Sequence, residues 1–335
     1  MFKHILAATD LVGVEDPVVT GAAAVAQTHQ AKLDILHVAE SSHQNSRHLV
    51  KDYKTNEEIN FSPEYQAVVQ KELFDFYKAI LPANMDFDVR VVCGFPWEEI
   101  VRHSRNLNAG MIVVGPHSER AAERGTVRVA GKIGSTVEGV VTRENCPVMI
   151  INPGVRLSSA AFKKIVVGVD FSVSCECALA FARNTAEKFG STIFPFHMIP
   201  VPPYPKYTKE DSDADRKNTE KRLEEFCRDI VKDSPCAYQL WGGALPHLEL
   251  VKCAEKNSAD LIILGSHTKE KARKWYAGSA VERTAFRAGC PVIVVTDPES
   301  LVSWDGNAPN DPAIGKDKDR SIHVFTGQRH VTGNR

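Results

Sequence analysis

The chain alternates short apolar runs with longer amphipathic stretches, and it does so twice. Residues 5–10 and 165–170 are brief apolar runs that each end in Asp, the pattern of a strand buried on both faces. A helical period follows each. In the second half Cys175, Ala178, Leu179, Ala182, Ala186 and Phe189 recur at spacings of three and four, which places them on one helix face. Ser172 or Ser174 suits the start of that helix and Gly190 its end. The order then continues in parallel. Second strands fall at residues 33–38 and 192–198, and long helices at 63–80 and 209–231. Third strands fall at 86–92 and 237–241, helices begin near Pro96 and Pro246, and fourth strands lie at 111–115 and 261–265. Proline suits a first helical position because its missing N–H would have no intrahelical partner there.

The repetition is also literal. Residues 134–151 align without a gap on residues 278–295, and eight of these eighteen positions are identical. A repeat of this length means two copies of one domain. Each copy of the block supplies a fourth helix and a fifth strand, entered through Cys146-Pro147-Val148 and Cys290-Pro291-Val292. Five strands alternating with helices predict a parallel, doubly wound sheet with right-handed crossovers. The expected architecture is therefore α/β: two tandem doubly wound parallel five-stranded sheets. The first domain is expected over residues 1–152, a linker over 153–162 and the second domain over 163–297. Residues 298–335 carry no sustained period and read as an irregular or disordered tail. Polar residues 40–61 and proline-rich residues 199–207 are inserts that follow the second strands.

Composition narrows the class. At 335 residues the chain has room for about two domains. With 41 Lys and Arg against 42 Asp and Glu it carries no broad basic field, so nucleic acid is not an expected partner. No apolar run is long enough for a membrane span, and the first residues enter a strand at once, which leaves no room for a signal peptide. A cytoplasmic protein with eight reduced, mostly buried cysteines is the matching expectation. Cys175 and Cys177 would point far apart on a helix, so they do not make a shared metal site. His43 and His48 lack Cys or Asp partners at ligand spacing, and no metal site is expected.

The repeated Gly-Ser step falls at a helix start, where backbone N–H groups and the helix dipole attract anions. In the second copy Gly265, Ser266, His267 and Thr268 are followed by nine residues and then by Gly278 and Ser279. Lys269, Lys271, Arg273 and Lys274 lie between. A glycine-rich turn lets backbone approach phosphate oxygens closely. Ser135-x-x-Glu138 and Ser279-x-x-Glu282 equally fit capping boxes, which start a helix with no ligand at all. The stretch from Gly125 to Ile133 is not a Walker loop: five residues separate Gly125 from Gly131, and Ile133 has no hydroxyl for magnesium. His37 and His197 occupy matching places beside the ends of the second strands and read as packed histidines.

These features together resemble a tandem universal stress protein, of the adenine-nucleotide α-hydrolase-like fold. The nucleotide-binding form of that family has Gly, two residues, Gly, nine residues, then Gly-Ser or Gly-Thr. It also has an Asp after the first strand and Cys-Pro-Val before the fifth. The resemblance implies ATP or AMP as ligand, with or without Mg2+. It places Asp170 at the adenine or ribose end, the backbone near Met198 at the base, and Gly265, His267, Gly278 and Ser279 around the phosphates. Thr268 departs from the pattern by standing where a second Gly is usual. In the first copy Asp10, Val38, Gly115, His117, Gly134 and Ser135 hold the matching positions. There Ser118 replaces the second Gly, and fifteen residues precede Gly134 instead of nine. The second copy is the better candidate for binding.

No histidine or carboxylate is placed as a base for water, so no catalytic residue is expected. The leading expectation is a non-enzymatic, nucleotide-responsive stress protein that acts through protein partners. The alternatives are a scaffold of the same fold that needs no nucleotide, and an ATP-dependent enzyme of the wider superfamily. The resemblance also implies pairing through the fifth strands: residues 148–152 beside 292–296 around a pseudo-twofold axis would make an intramolecular pseudo-dimer and remove two exposed edges, open to further homodimerisation.

Overall fold

A computed structural model describes residues 2–10, 16–43, 46–55, 57–116, 133–157, 160–200, 208–266 and 279–295. The first half runs β1 (His4–Thr9), α1 (Pro17–His29), β2 (Lys32–His43), β3 (Ser46–Lys51), β4 (Glu58–Asn60), α2 (Pro63–Ile80), β5 (Phe87–Gly94), α3 (Pro96–Leu107), β6 (Met111–Val114), α4 (Ser135–Arg143) and β7 (Val148–Ile150). The second runs β8 (Lys164–Gly168), α5 (Val173–Phe189), β9 (Thr192–Pro200), α6 (Lys209–Val231), β10 (Gln239–Gly243), α7 (Pro246–Asn257), β11 (Leu261–Gly265), α8 (Ser279–Arg287) and β12 (Val292–Val295). The tail expected over 298–335 lies outside the described residues, as does most of the insertion before Gly134.

Local signals explain the element ends. Pro17, Pro63, Pro96 and Pro246 all open helices. Ser172, and not Ser174, caps α5, its side chain accepting from the Cys175 amide. Gly190 ends that helix in the left-handed region at φ 64°, a conformation glycine adopts without steric cost.

Within each half the sheet order is third, second, first, fourth, fifth strand, and every pairing among these is parallel. The two fifth strands join the halves. Strand β7 pairs antiparallel with β12, with Val292 opposite Ile150, Ile293 opposite Met149 and Val294 opposite Val148. Strand alternation carries both core layers across this seam. Met149 and Ile293 join the layer that contains Val19 of α1 and Leu179 of α5. Val148, Ile150, Val292 and Val294 join the layer that contains Ile100 of α3 and Leu250 of α7. Asn152 adds a clasp, its side-chain amide donating to the Ala285 and Ala288 carbonyls of the other half, each at 2.8 Å.

The polar insert of the first half is structured. Strand β2 runs on past its parallel partners, and β3 and β4 form an antiparallel extension beside it. Val50 of β3 is fully buried.

At the other side of the seam α1 and α5 meet near their C-terminal ends. The His29 ring lies 4.6 Å from the Phe2 ring and 5.9 Å from the Phe189 ring, centroid to centroid. Its Nδ1 accepts from the Lys188 ammonium at 3.2 Å. Burial, then the Lys188 charge, lowers the His29 pKa to about 3. The folded state therefore holds the ring neutral, whereas an unfolded chain protonates it near pH 6.5. This contribution to stability is present above that pH and is lost as the pH falls toward 3. We expect His29→Gln to flatten this part of the stability curve in urea titrations between pH 7 and pH 4. An unchanged slope would show that other groups set it.

Candidate functional site

The strand order reverses beside the first strand of each half. In the second half the chain leaves β8 toward β9 and β10, then returns on the opposite side to β11. Doubly wound sheets hold ligands in the crevice beyond the strand C-termini at such a point. Asp170 follows β8, Met198 lies in β9 and Gly265 closes β11. The register brings them to one edge, because Gly168 is opposite Phe196, Ile263 opposite Val167, and Gly265 opposite Val295. The helix α8 starts at Ser279. His267, Thr268, Gly278 and the Ser279 side chain lie outside the described residues.

Asp170 is a buried carboxylate, 5% exposed. Its Oδ1 accepts from the Ser172 amide at 3.0 Å, the Ser172 hydroxyl at 2.5 Å and the Cys175 thiol at 2.7 Å. Burial, reinforced by the Asp170 charge, pushes the Cys175 thiol pKa well up, so this sulfur carries its proton. Phe171 sits between these anchors at φ 64°, where a bulky residue is strained. Its ring lies 4.6 Å from the His197 ring, and the Arg222 guanidinium stands 4.0 Å over it. His197 is buried and its Nδ1 donates to the Val169 carbonyl at 2.8 Å. Burial lowers its pKa, which keeps it neutral with the proton on Nδ1. His37 makes the matching bond to the Thr9 carbonyl at 3.1 Å. Both histidines thus lock the end of a second strand to the end of a first strand, the packed role expected of them.

Gly265 meets backbone from within the chain. A Cβ there would lie 2.2 Å from the Ser174 carbonyl oxygen and 2.8 Å from the Cys175 nitrogen. The missing side chain lets the first turn of α5 sit directly on the end of β11. The Ser174 hydroxyl adds a bond to the Ser266 carbonyl at 3.0 Å, and the Ser266 amide donates to Val295 at 3.0 Å. Ser266 is 1% exposed, and its hydroxyl has no hydrogen-bond partner among the described residues. A buried hydroxyl normally finds one, so a donor without a partner among the described residues lies at this edge. Met198 is buried, with its sulfur backed by Gly243, where a Cβ would lie 3.0 Å from it.

The first half gathers its candidates in the same way. Thr9 pairs with His37 and Ala7 with Val113, so Asp10, Val38 and Gly115 share the C-terminal edge. The Gly134 amide donates to the Pro116 carbonyl at 2.8 Å, tying the start of α4 to the end of β6. His117 lies outside the described residues. The Ser135 capping box does not form. Gly134 takes the N-cap position, with φ −68° and ψ 156° and no side-chain bond, and Ser135 is the first helical residue. The amides of that first turn keep no intrahelical acceptor. The matching Ser279 also begins its helix instead of preceding it.

One cluster went unread in the sequence. Asp16 caps α1, its Oδ1 accepting from the Val18 and Val19 amides at 3.0 Å each. Its Oδ2 accepts from the Thr9 hydroxyl at 2.6 Å and the Tyr77 hydroxyl at 2.9 Å. The Asp16-Pro17 step, a cap followed by a first-turn proline, was the available signal. Among the described residues no group of three His, Cys, Asp or Glu is arranged to hold a metal ion, and no helix is long and apolar enough to cross a membrane.

This is a tandem α/β protein with a reversal crevice in each half. The model of the universal stress protein family matches residues 1–152 and 161–296, and the chain belongs to that family. Universal stress protein MJ0531 of Methanocaldococcus jannaschii is 31% identical over 159 residues, covering 45% of this chain and 91% of that protein. MJ0577 of the same organism is 25% identical over 162 residues, 41% of this chain and 96% of its own length. Each of these two relatives thus corresponds to about one half of the chain. A solved universal stress protein from Archaeoglobus fulgidus covers 88% of the chain and 96% of itself, at 19% identity and a TM-score of 0.57. A structure described as a putative universal stress protein, from Pseudomonas aeruginosa, gives 12% identity and a TM-score of 0.54 over 92% of this chain and 98% of its own. At those identities the likeness concerns the fold.

The Gly265 contact generates a test. Gly265→Ala must push α5 off the strand end, because backbone atoms stand in the way. We expect a loss of about 2–3 kcal/mol in chemical denaturation. A loss under about 0.5 kcal/mol, the scale of a neutral surface change, would mean that the turn relaxes freely.

Proposed function

We propose that this stress-response protein binds an adenine nucleotide, ATP or AMP, in the crevice of its second half. It acts through protein partners, in the cytoplasm, and not by catalysis. We divide the chain as domains 1–152 and 163–297, with a linker between and a tail after residue 297. The observation that carries the nucleotide reading is the buried Ser266 hydroxyl at the strand edge, without a partner among the described residues, in a loop whose spacing runs from Gly265 to the start of α8 at Ser279. Phosphates fit this place because a helix start offers unpartnered amides and a favourable dipole. His267, Thr268, Gly278, Ser279 and the lysines of the loop complete the phosphate side, and Mg2+ would accompany the phosphates. Asp170 supplies a fixed, buried negative group near the sugar, and the backbone at Met198 faces the base. Asp10, Val38, Gly115, His117, Gly134 and Ser135 form the corresponding set in the first half.

One observation favours a second reading, a scaffold that needs no nucleotide. Gly265 and the Asp170 Oδ1 are both committed to holding α5. On this reading the crevice residues serve packing, and the exposed helices serve partners.

Isothermal titration and thermal shift with ATP and with AMP, each with and without Mg2+, separate the two. The expected outcome is binding that weakens about tenfold or more in Ser279→Ala, the loss of one charge-assisted hydrogen bond. No heat and no shift at millimolar nucleotide would establish the scaffold. Sustained ATP turnover by the wild-type chain would overturn the non-enzymatic reading.

A further inference from the structure

We propose that the second half carries an anion site apart from its crevice. A small phosphate-class oxyanion sits between the first turn of α7 and the outer face of α8, held by His247, Arg283 and Arg287. The site does not depend on the nucleotide reading.

The same place in the first half is filled by the chain itself. Trp97 stands in the first turn of α3, and the Arg143 guanidinium of α4 lies 4.2 Å over its ring. Arg143 also donates to the Gly139 carbonyl at 3.2 Å and to the Thr142 hydroxyl at 3.0 Å. Glycine is needed at 139, since a Cβ there would lie 2.7 Å from the Trp97 Cβ. The offsets that relate Pro96 to Pro246 and Gly134 to Gly278 carry Trp97, Gly139 and Arg143 onto His247, Arg283 and Arg287. An imidazole is smaller than an indole, so its neighbour on the facing helix no longer has to be glycine. The exchange removes the ring that engaged the arginine and adds a second cation beside it.

Three observations point to an anion here. His247 is 5% exposed, yet its ring has no hydrogen-bond partner among the described residues. Buried polar side chains normally have one. Arg283 and Arg287 are exposed, and among the described residues neither has a hydrogen bond or an ion pair. They stand four residues apart on α8, a spacing at which like charges repel. Burial, then the charges of Arg283 and Arg287, lowers the His247 pKa, so the ring is uncharged and lies within the field of both guanidiniums. The acid in the first turn of α7 is engaged elsewhere, because Glu249 accepts from the Trp241 indole at 3.0 Å and from the Lys252 ammonium at 2.9 Å. Lastly, α7 starts without a side-chain cap. Leu245 holds the N-cap position, Pro246 has no amide hydrogen, and the His247 amide has no acceptor among the described residues. Helical side chains lean toward the N-terminus of their helix, so the His247 ring lies beside that uncapped start. Guanidinium groups match phosphate oxygens in a two-pronged geometry, and a helix start adds free amides and a favourable dipole. A phosphate group at this place satisfies the imidazole, pairs both guanidiniums and removes their repulsion.

Calorimetric titration and thermal shift of the full chain with inorganic phosphate, against sodium chloride at equal ionic strength, test the site. Phosphate should bind and raise the Tm, and chloride should do neither. Affinity should fall about tenfold or more in an Arg283→Gln, Arg287→Gln double variant, the loss of charge-assisted hydrogen bonds. An Arg283→Lys, Arg287→Lys variant keeps the charge and loses the fork, so it should weaken binding by a smaller factor, and it carries the test if the glutamine variant does not fold. His247→Gln should also weaken binding. Phosphate affinity unchanged in the arginine variants, or a thermal shift matched by chloride, overturns the proposal. The glutamine variant is also titrated with ATP. An unaltered ATP isotherm beside lost phosphate binding supports two separate sites, whereas loss of both ligands places the arginines in the crevice and overturns a separate site. If no protein binds ATP, the nucleotide reading fails and the phosphate titration still decides this one. Glycerol phosphate, a phosphomonoester, is titrated in parallel. Tighter binding than inorganic phosphate assigns the site to an esterified phosphate and weaker binding to the free ion, and either result supports it.

Discussion

The antiparallel contact between β7 and β12 is the constraint on which the rest of this molecule depends. Each half alone would expose the edge of its fifth strand, a row of unpaired backbone groups beside fully buried Val and Ile side chains. Pairing the two edges satisfies those groups and aligns the strand alternation of both halves. One core layer then runs continuously beneath α1 and α5, and the other beneath α3, α4, α7 and α8. The clasp at Asn152 and the cluster around His29 are secondary to this seam. Both add contacts between the two halves.

The crevices lie beside the seam's neighbours, at the reversals next to β1 and β8. Their local chemistry is first of all structural. Gly265, Cys175, Asp170, Ser172 and Ser174 hold the first turn of α5 against the ends of two strands. A strained Phe171 completes the turn. A site assembled this way is rigid before anything binds, and little of its order has to be acquired on binding. The buried Ser266 hydroxyl is the exception, a polar group without a partner among the described residues.

Much of the fold was legible in the sequence because its signals are periodic or local. The spans of α2, α6 and β11 were read residue for residue, since Pro63, the apolar run at 261–265 and the helical period of 209–231 mark them without ambiguity. The fifth-strand pairing followed from the family resemblance, since members of that family pair through those strands. What escaped was set by distant contacts. Ser135 looked like a cap because the serine-to-glutamate spacing is right, yet the Gly134 bond to Pro116 shifts the helix start by one residue. Asp16 was passed over, although Asp-Pro is a strong start signal, because its partners Thr9 and Tyr77 are far away in the chain. Residues 40–61 read as a polar insert because their burial depends on α2, which the local pattern does not reveal. Asp10, Val38, Gly115, Asp170, Met198 and Gly265, singled out by the family resemblance, lie at or beside the C-terminal ends of their strands. The use of Gly265 for packing was invisible without the neighbouring helix.

The single-chain seam also has an evolutionary consequence. Two identical subunits joined by a twofold axis must share every substitution, so a change that suits one partner is imposed on the other. Here the two sides are separate stretches of one polypeptide, and each can drift alone. Trp97 and His247 at corresponding positions, an arginine stacked on tryptophan in one half and two arginines gathered beside a histidine in the other, are differences that a symmetric pair could not encode. Fusion turned a symmetric contact into a licence for the two halves to specialise.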